Sequence, residues 1–146
     1  MKNISEFLNA GKYAVAGVSR NPKKFGHIVY TTLRKKNMDV VPVNPNPLVI
    51  DGMEAFRSVS DLPADISALI IVTQPEETLP VAREAINKGI KQIWIQQGAE
   101  SRKVLEELEK ENINLITKEC ILMYWKPTGI HSFHRFLKKI TGTLSA

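Results

Sequence analysis

Cysteine is nearly missing from this 146-residue chain, Cys120 being the only one. No internal disulfide can form, and a reducing interior suits such a chain. Long hydrophobic runs are missing too. Nothing approaches the ~18 consecutive apolar residues of a membrane helix. The start, Met1-Lys2-Asn3-Ile4-Ser5-Glu6, lacks the apolar stretch of a signal peptide. The expected location is therefore the cytoplasm, with no membrane partner. No repeat and no low-complexity tract interrupts the chain, so residues 1–146 read as one domain, long enough to bury its own core. Acidic residues are the minority charge, 15 against 20 Lys and Arg, for a net charge of +5. An excess of that sign suits an anionic ligand or nucleic acid, and placement decides between them.

The basic residues fall in three groups: Arg20, Lys23 and Lys24; Arg34, Lys35 and Lys36; Arg135, Lys138 and Lys139. The second ends an expected helix, where cations suit the macrodipole. The first comes after an expected strand and a glycine, and is the informative one. None of the groups forms a single face interleaved with aromatics, which argues against nucleic acid.

Helical and strand patterns alternate throughout. A short helix is expected over 4–8, closing at Gly11, then a buried strand over 13–17. Phe25, Ile28, Val29 and Leu33 make a helical stripe within 25–36. A strand over 39–43 contains Pro42, which calls for a free edge or an irregularity. The stretch 44–65 is less regular, with the turn signal Asp51-Gly52 and room for a short helix over 58–62. A strand over 68–72 leads to a helix over 76–88 stopped by Gly89, with Pro80 limiting where that helix begins. A strand over 92–95 precedes a helix over 101–111 with Ser101 as N-cap and Val104, Leu105 and Leu108 inward. A fifth strand is expected over 113–116, and a last helix over 130–140. That helix turns Ile130, Phe133, Phe136, Leu137 and Ile140 inward and Arg135, Lys138 and Lys139 outward, and is read as a packing element in preference to a dimer arm or a membrane-surface helix, with a homodimer left open.

The alternation implies an α/β fold, a Rossmann-like doubly wound, mainly parallel five-stranded sheet with helices on both faces. In such a sheet the ligand lies beyond the carboxyl ends of the strands, near the switch point. The candidate site is thus the set of loops that leave the strand ends. Gly17-Val18-Ser19-Arg20 and Lys24 come first: a glycine ending a strand ahead of a helix presents backbone N–H groups to a phosphate, with the Ser19 hydroxyl and the Arg20 and Lys24 cations beside it. A basic surface loop opening a helix is the plain alternative. The dinucleotide motif G-x-G-x-x-G is absent, since Ser19 and Pro22 stand at its second and third glycines. After the second strand stands Asn44 where a NAD site usually has Asp or Glu, and the residues nearest it include no arginine for NADP.

Several stretches then occur in order: Gly17-x-Ser19-Arg20, Val43-Asn44-Pro45-Asn46-Pro47, Ser60-Asp61-Leu62-Pro63, Gln92-Ile93-Trp94-Ile95-Gln96-Gln97-Gly98-Ala99 and Lys118-Glu119-Cys120-Ile121-Leu122. Over about residues 10 to 125 the set resembles the stand-alone CoA-binding domain family, relatives of the N-terminal domain of the succinyl-CoA synthetase α subunit. The resemblance implies coenzyme A or an acyl-CoA as ligand. It points to Ser19, Arg20 and Lys24 for the phosphates. It points to Asn44, Pro45, Val72, Thr73, Gln74, Gln96, Gln97 and Gly98 for the nucleotide and pantetheine. It does not imply the synthetase's chemistry, whose phosphate-carrying histidine lies in a second domain that this sequence does not show; His27, His131 and His134 do not match its motif.

Cys120 comes after the last strand at the ligand edge, where a thiol could exchange with that of CoA; the alternative is a small packing residue. The histidines lack metal spacing, and no metal site is expected. No nucleophile–base constellation can be read from spacing, so no catalytic residue is assigned. The reading is a CoA or acyl-CoA binding protein, regulatory or carrier-like. The alternative is an NAD(P)-type nucleotide-binding enzyme or an acyl transferase using the same cleft.

Overall fold

A strand buried on both faces needs apolar side chains at every position. Tyr13–Ala16 (β1) and Ala68–Ile71 (β5) meet that demand, with all their residues buried. The computed structural model describes residues 2–126. The helix expected over 130–140, with His131 and His134, lies outside them. In chain order the other elements are α1 (Ile4–Leu8), α2 (Phe25–Lys35), β2 (Val40–Val43), β3 (Val49–Ile50), β4 (Met53–Glu54), α3 (Pro75–Asn87), β6 (Gln92–Gln96), α4 (Arg102–Leu108) and β7 (Asn114–Glu119). Short 3-10 turns cover Val59–Asp61 and Ile121–Met123.

Five strands form one sheet in the order β2-β1-β5-β6-β7, every neighbouring pair parallel. The chain winds outward from β1 to β2, then crosses back to β5 and winds the other way. The switch point therefore lies between β1 and β5. Alternate residues of β1 serve opposite faces. Tyr13 and Val15 join a core with Phe7, Val29, Leu33 and Trp94, under α1 and α2. Ala14 and Ala16 join Leu69, Ile71, Ala82, Ala85 and Leu108, under α3 and α4. The doubly wound α/β sheet with helices on both faces is the observed architecture.

Aromatic contacts tie the termini of the described chain to the first of these cores. Phe7 meets Tyr13 and Trp94 at ring-centroid distances of 5.6 and 5.2 Å, and Trp125 meets Tyr13 at 5.8 Å. Asn114 adds a polar clamp, accepting from Asn3 N at 2.7 Å and donating to Asn3 O at 2.7 Å.

Four local expectations change. Pro80 does not limit the start of α3, which begins at Pro75 and carries Pro80 in its interior. Pro80 has no N–H to give the Glu76 carbonyl one turn earlier, and both residues are exposed. Helix α4 stops at Leu108 rather than 111, because Asn114 must already meet Lys91 O, at 2.7 Å, to start the last strand. Strand β7 runs on to Glu119 past a bulge, with Lys118 at φ 63° and Gln96 opposite Glu119. Asp51 and Gly52, at φ 49° and 77°, make the turn of a small antiparallel hairpin, β3–β4, that the irregular stretch concealed.

Candidate functional site

The loop 17–24 begins where Gly17 turns left-handed at φ +97°. A Cβ there would stand 2.6 Å from the Val72 carbonyl oxygen, so β1 and β5 end in near contact. Gly26, the second residue of α2, makes the matching approach. Its Cβ would lie 2.0 Å from the Gly17 carbonyl oxygen. The sequence lacks the familiar third glycine at position 22, and Gly26 provides the close helix–strand approach instead.

Between these glycines the loop is held by its own polar side chains. Asn21 N donates to Ser19 Oγ at 3.0 Å, Lys23 N to Asn21 Oδ1 at 3.0 Å, and Lys24 N to Asn21 O at 3.0 Å. His27 Nδ1 lies 2.7 Å from Ser19 O. Ser19 accepts in this network and keeps its hydroxyl proton to donate. Helix α2 opens after Lys24 with no side-chain cap. Its first-turn N–H groups and the positive end of its dipole are thus turned to the loop, with Lys24 beside them.

A cleft of about 270 Å³ opens at the switch point. Gly17, Ser19 and Lys24 line it from the first loop, and Val72, Thr73 and Gln74 from the exit of β5. Gln96, Gln97 and Gly98 line it from the exit of β6. Nine of the residues singled out from sequence are thereby brought together, joined by Glu77 of α3. Thr78, which sequence reasoning missed, binds two of these loops. It is fully buried, its hydroxyl 2.7 Å from Thr73 Oγ1 and 2.7 Å from Ala99 O. Gly98 at φ +99°, with Ala99 N donating to Gln96 O at 2.9 Å, shapes the third loop as a tight turn.

The remaining candidates sit differently. Val18 is a core residue whose carbonyl accepts from Asn44 Nδ2 at 2.6 Å. Asn44 also accepts from Asn46 N at 2.8 Å, so its amide shapes and joins two loops. Arg20 is exposed and donates to Pro47 O at 2.9 Å, bridging the same loops from outside. Gln96, though it borders the cleft, spends its amide inward. Its Oε1 accepts from Ile121 N at 2.7 Å, and its Nε2 lies 3.3 Å from Cys120 Sγ.

Cys120 is 6% exposed and does not line the cleft. Burial pushes its thiol up, against a smaller opposing effect of the Gln96 amide. A thiolate is the species that exchanges with another thiol, and here it is disfavoured and covered. The packing role expected as the alternative is the one this geometry supports.

A second cavity, of about 480 Å³, lies on the other side of Gly17 and Thr73 and holds Pro45. Arg57 also lines it. The residues adjacent to Asn44 in sequence offer no arginine, but the tertiary structure brings one. Phe56 N donates to Pro42 O at 3.0 Å and Asn44 N to Phe56 O at 2.9 Å, which lays the segment after β4 along the end of β2. The whole hairpin separates the two segments in sequence, so no local pattern could have paired them.

Known proteins are similar to this chain in sequence and in fold. The family model described as a CoA binding domain matches residues 11–126. The chain is 29% identical over 129 residues to the α subunit of an ADP-forming acetate–CoA ligase II of Pyrococcus furiosus, covering 81% of this chain and 28% of that subunit. It is 26% identical over 119 residues to the uncharacterised protein YneT of Bacillus subtilis, covering 81% of this chain and 88% of that one. Among solved structures, a conserved hypothetical protein of Pyrococcus furiosus is similar at 40% identity and TM-score 0.73, covering 77% of this chain and 97% of that one. The chain thus spans little more than a quarter of the ligase subunit but nearly all of a stand-alone relative, and with a family model matched across the whole sheet it belongs to the CoA-binding domain family.

Proposed function

We propose that the cleft binds coenzyme A or an acyl-CoA, and that the chain works as a binding module of regulatory or carrier type. One observation carries the reading: a glycine-started, internally braced loop bearing Ser19 and Lys24 opens onto the uncapped start of α2 at the switch point of the sheet. That is an arrangement for a phosphate, and membership of the family makes the diphosphate of coenzyme A its natural occupant. The non-catalytic part of the reading is supported by how the reactive side chains are used. Cys120 is buried against Gln96, and the His27 ring nitrogen is bound to the Ser19 carbonyl.

Calorimetry with coenzyme A, acetyl-CoA and NADH tests the reading. Coenzyme A and acetyl-CoA are expected to bind and NADH is not; NADH bound at least as tightly as coenzyme A overturns it. A second reading, acyl-transfer chemistry around the same cleft, draws on the likeness to the acetate–CoA ligase subunit. It predicts acetyl-CoA formation when the chain alone is given acetate, coenzyme A and ATP, and the binding-module reading predicts none.

A further inference from the structure

We propose that Arg57, which lines the second cavity, binds the phosphate carried on the ribose of coenzyme A. The proposal rests on the coenzyme A reading above, with the adenosine end beside Pro45 as the family resemblance implies, and adds the residue that would set specificity. The cavity is continuous with the cleft, because Gly17, Thr73 and Glu77 line both. A ligand with its diphosphate on the loop 17–24 enters it without crossing protein. Val43, Pro45, Val59 and Val81 give it apolar walls, and its volume of about 480 Å³ accommodates a nucleoside.

Arg57 supplies the charge. It is exposed, and among the described residues its guanidinium makes no hydrogen bond or ion pair, so its donor fork is available to a phosphate. Its backbone comes directly after Phe56, which both hydrogen bonds to the end of β2 hold in place. The other charged groups lining the cavity are Glu76, Glu77 and Glu84, all on α3. Glu84 is committed to Ser60, accepting from its N at 3.0 Å and its Oγ at 2.8 Å. A dianionic phosphate would be repelled from the α3 wall, and Arg57 draws it to the opposite one. NADH, which carries no phosphate on its ribose hydroxyls, would leave Arg57 unused.

The test is calorimetry of the parent, Arg57→Gln and Arg57→Lys with coenzyme A and with dephospho-CoA, which differ only in that phosphate. The parent is expected to prefer coenzyme A by about 10- to 100-fold, the usual size for a hydrogen bond to a charged group. Arg57→Gln should bring the two ligands to within about threefold of each other, while Arg57→Lys keeps part of the preference as a point charge. Unchanged affinity for dephospho-CoA in Arg57→Gln shows that the variant is folded. A parent without preference, or an Arg57→Gln protein that keeps the parent's ratio, overturns the role of Arg57 and leaves the coenzyme A reading intact. A parent that takes neither ligand overturns both.

Discussion

A methyl group at Gly26 would have to fit where its carbon meets the Gly17 carbonyl oxygen at 2.0 Å. The obstacle is backbone on both sides, so relief requires α2 to move away from β1. Gly26→Ala is therefore expected to lower stability by about 1–3 kcal/mol, the usual cost of overpacking, read by urea denaturation. Arg20 makes a different case. It holds Pro47 O with one nitrogen and has further donors for a ligand phosphate. Arg20→Ala is expected to weaken coenzyme A binding by about 1.5–3 kcal/mol. Because it would act on the diphosphate, the loss should be equal for coenzyme A and dephospho-CoA, in contrast to Arg57→Gln. Equal affinities of Arg20→Ala and parent for coenzyme A would reduce the basic loop to a surface feature. Ser19 and Lys24 were legible in sequence because they lie between a strand end and a helix start, where local rules suffice. Arg57 and Thr78 were not, since each acts on loops that approach only when the sheet assembles.

Among the elements, the end of β7 shows most clearly how packing overrides local pattern. Sequence periodicity places its end at 116, but hydrogen bonding to β6 carries it through a bulge to Glu119. That extension puts the Trp94 indole against Glu119 O at 3.0 Å and delivers Cys120 beneath Gln96. It also places the Glu119 carboxylate 2.7 Å from the Tyr124 hydroxyl and 2.9 Å from Lys2 Nζ. The Tyr124 hydrogen bond first, and Lys2 second, hold the Glu119 carboxyl below its ordinary value against a smaller effect of burial. The same hydrogen bond raises Tyr124. For Glu119 the folded state prefers the ionised form, so its contribution is present above the unfolded carboxylate range and is lost as pH falls through the lowered folded value. For Tyr124 the contribution is present below the ordinary phenol range and is lost as pH rises through the raised one. The pair is thus intact from about pH 5 to about pH 9. Glu119→Gln is expected to flatten the acid limb of a melting-temperature profile below about pH 4.5, where the parent loses this contribution. An unchanged acid limb would show that the three side chains are too exposed for their contacts to matter.

For the whole molecule, ligand linkage provides the broadest check. Coenzyme A present at about 100 times its Kd should add roughly 2.7 kcal/mol to unfolding, and the melting temperature should rise with its concentration. NADH at the same concentration should leave it unmoved. The response should weaken as salt is added, because on the proposed reading the loop 17–24 would engage coenzyme A through charge near solvent. The net charge of +5 agrees with an anionic ligand without identifying one. Among the described residues no helix is long and apolar enough to cross a membrane.

The sequence by itself determined the alternation of strands and helices, the buried strands and the loop after β1. Each depends on residues within a few positions of one another: an apolar run such as Ala68–Ile71, a glycine at a strand end, a cap such as Ser101, whose hydroxyl accepts from Val104 N at 3.2 Å. Only the tertiary structure decided which strand ends meet and which polar groups are left for a ligand. The crossover from β2 to β5 set Gly17 against Val72, and the hairpin carried Arg57 back to Asn44. Pairing with β6 turned Cys120 from an edge residue into a buried one. These are contacts between segments far apart in the chain. Their free energy comes from burial and hydrogen bonds that do not exist until the sheet has formed, which is why no local pattern announces them.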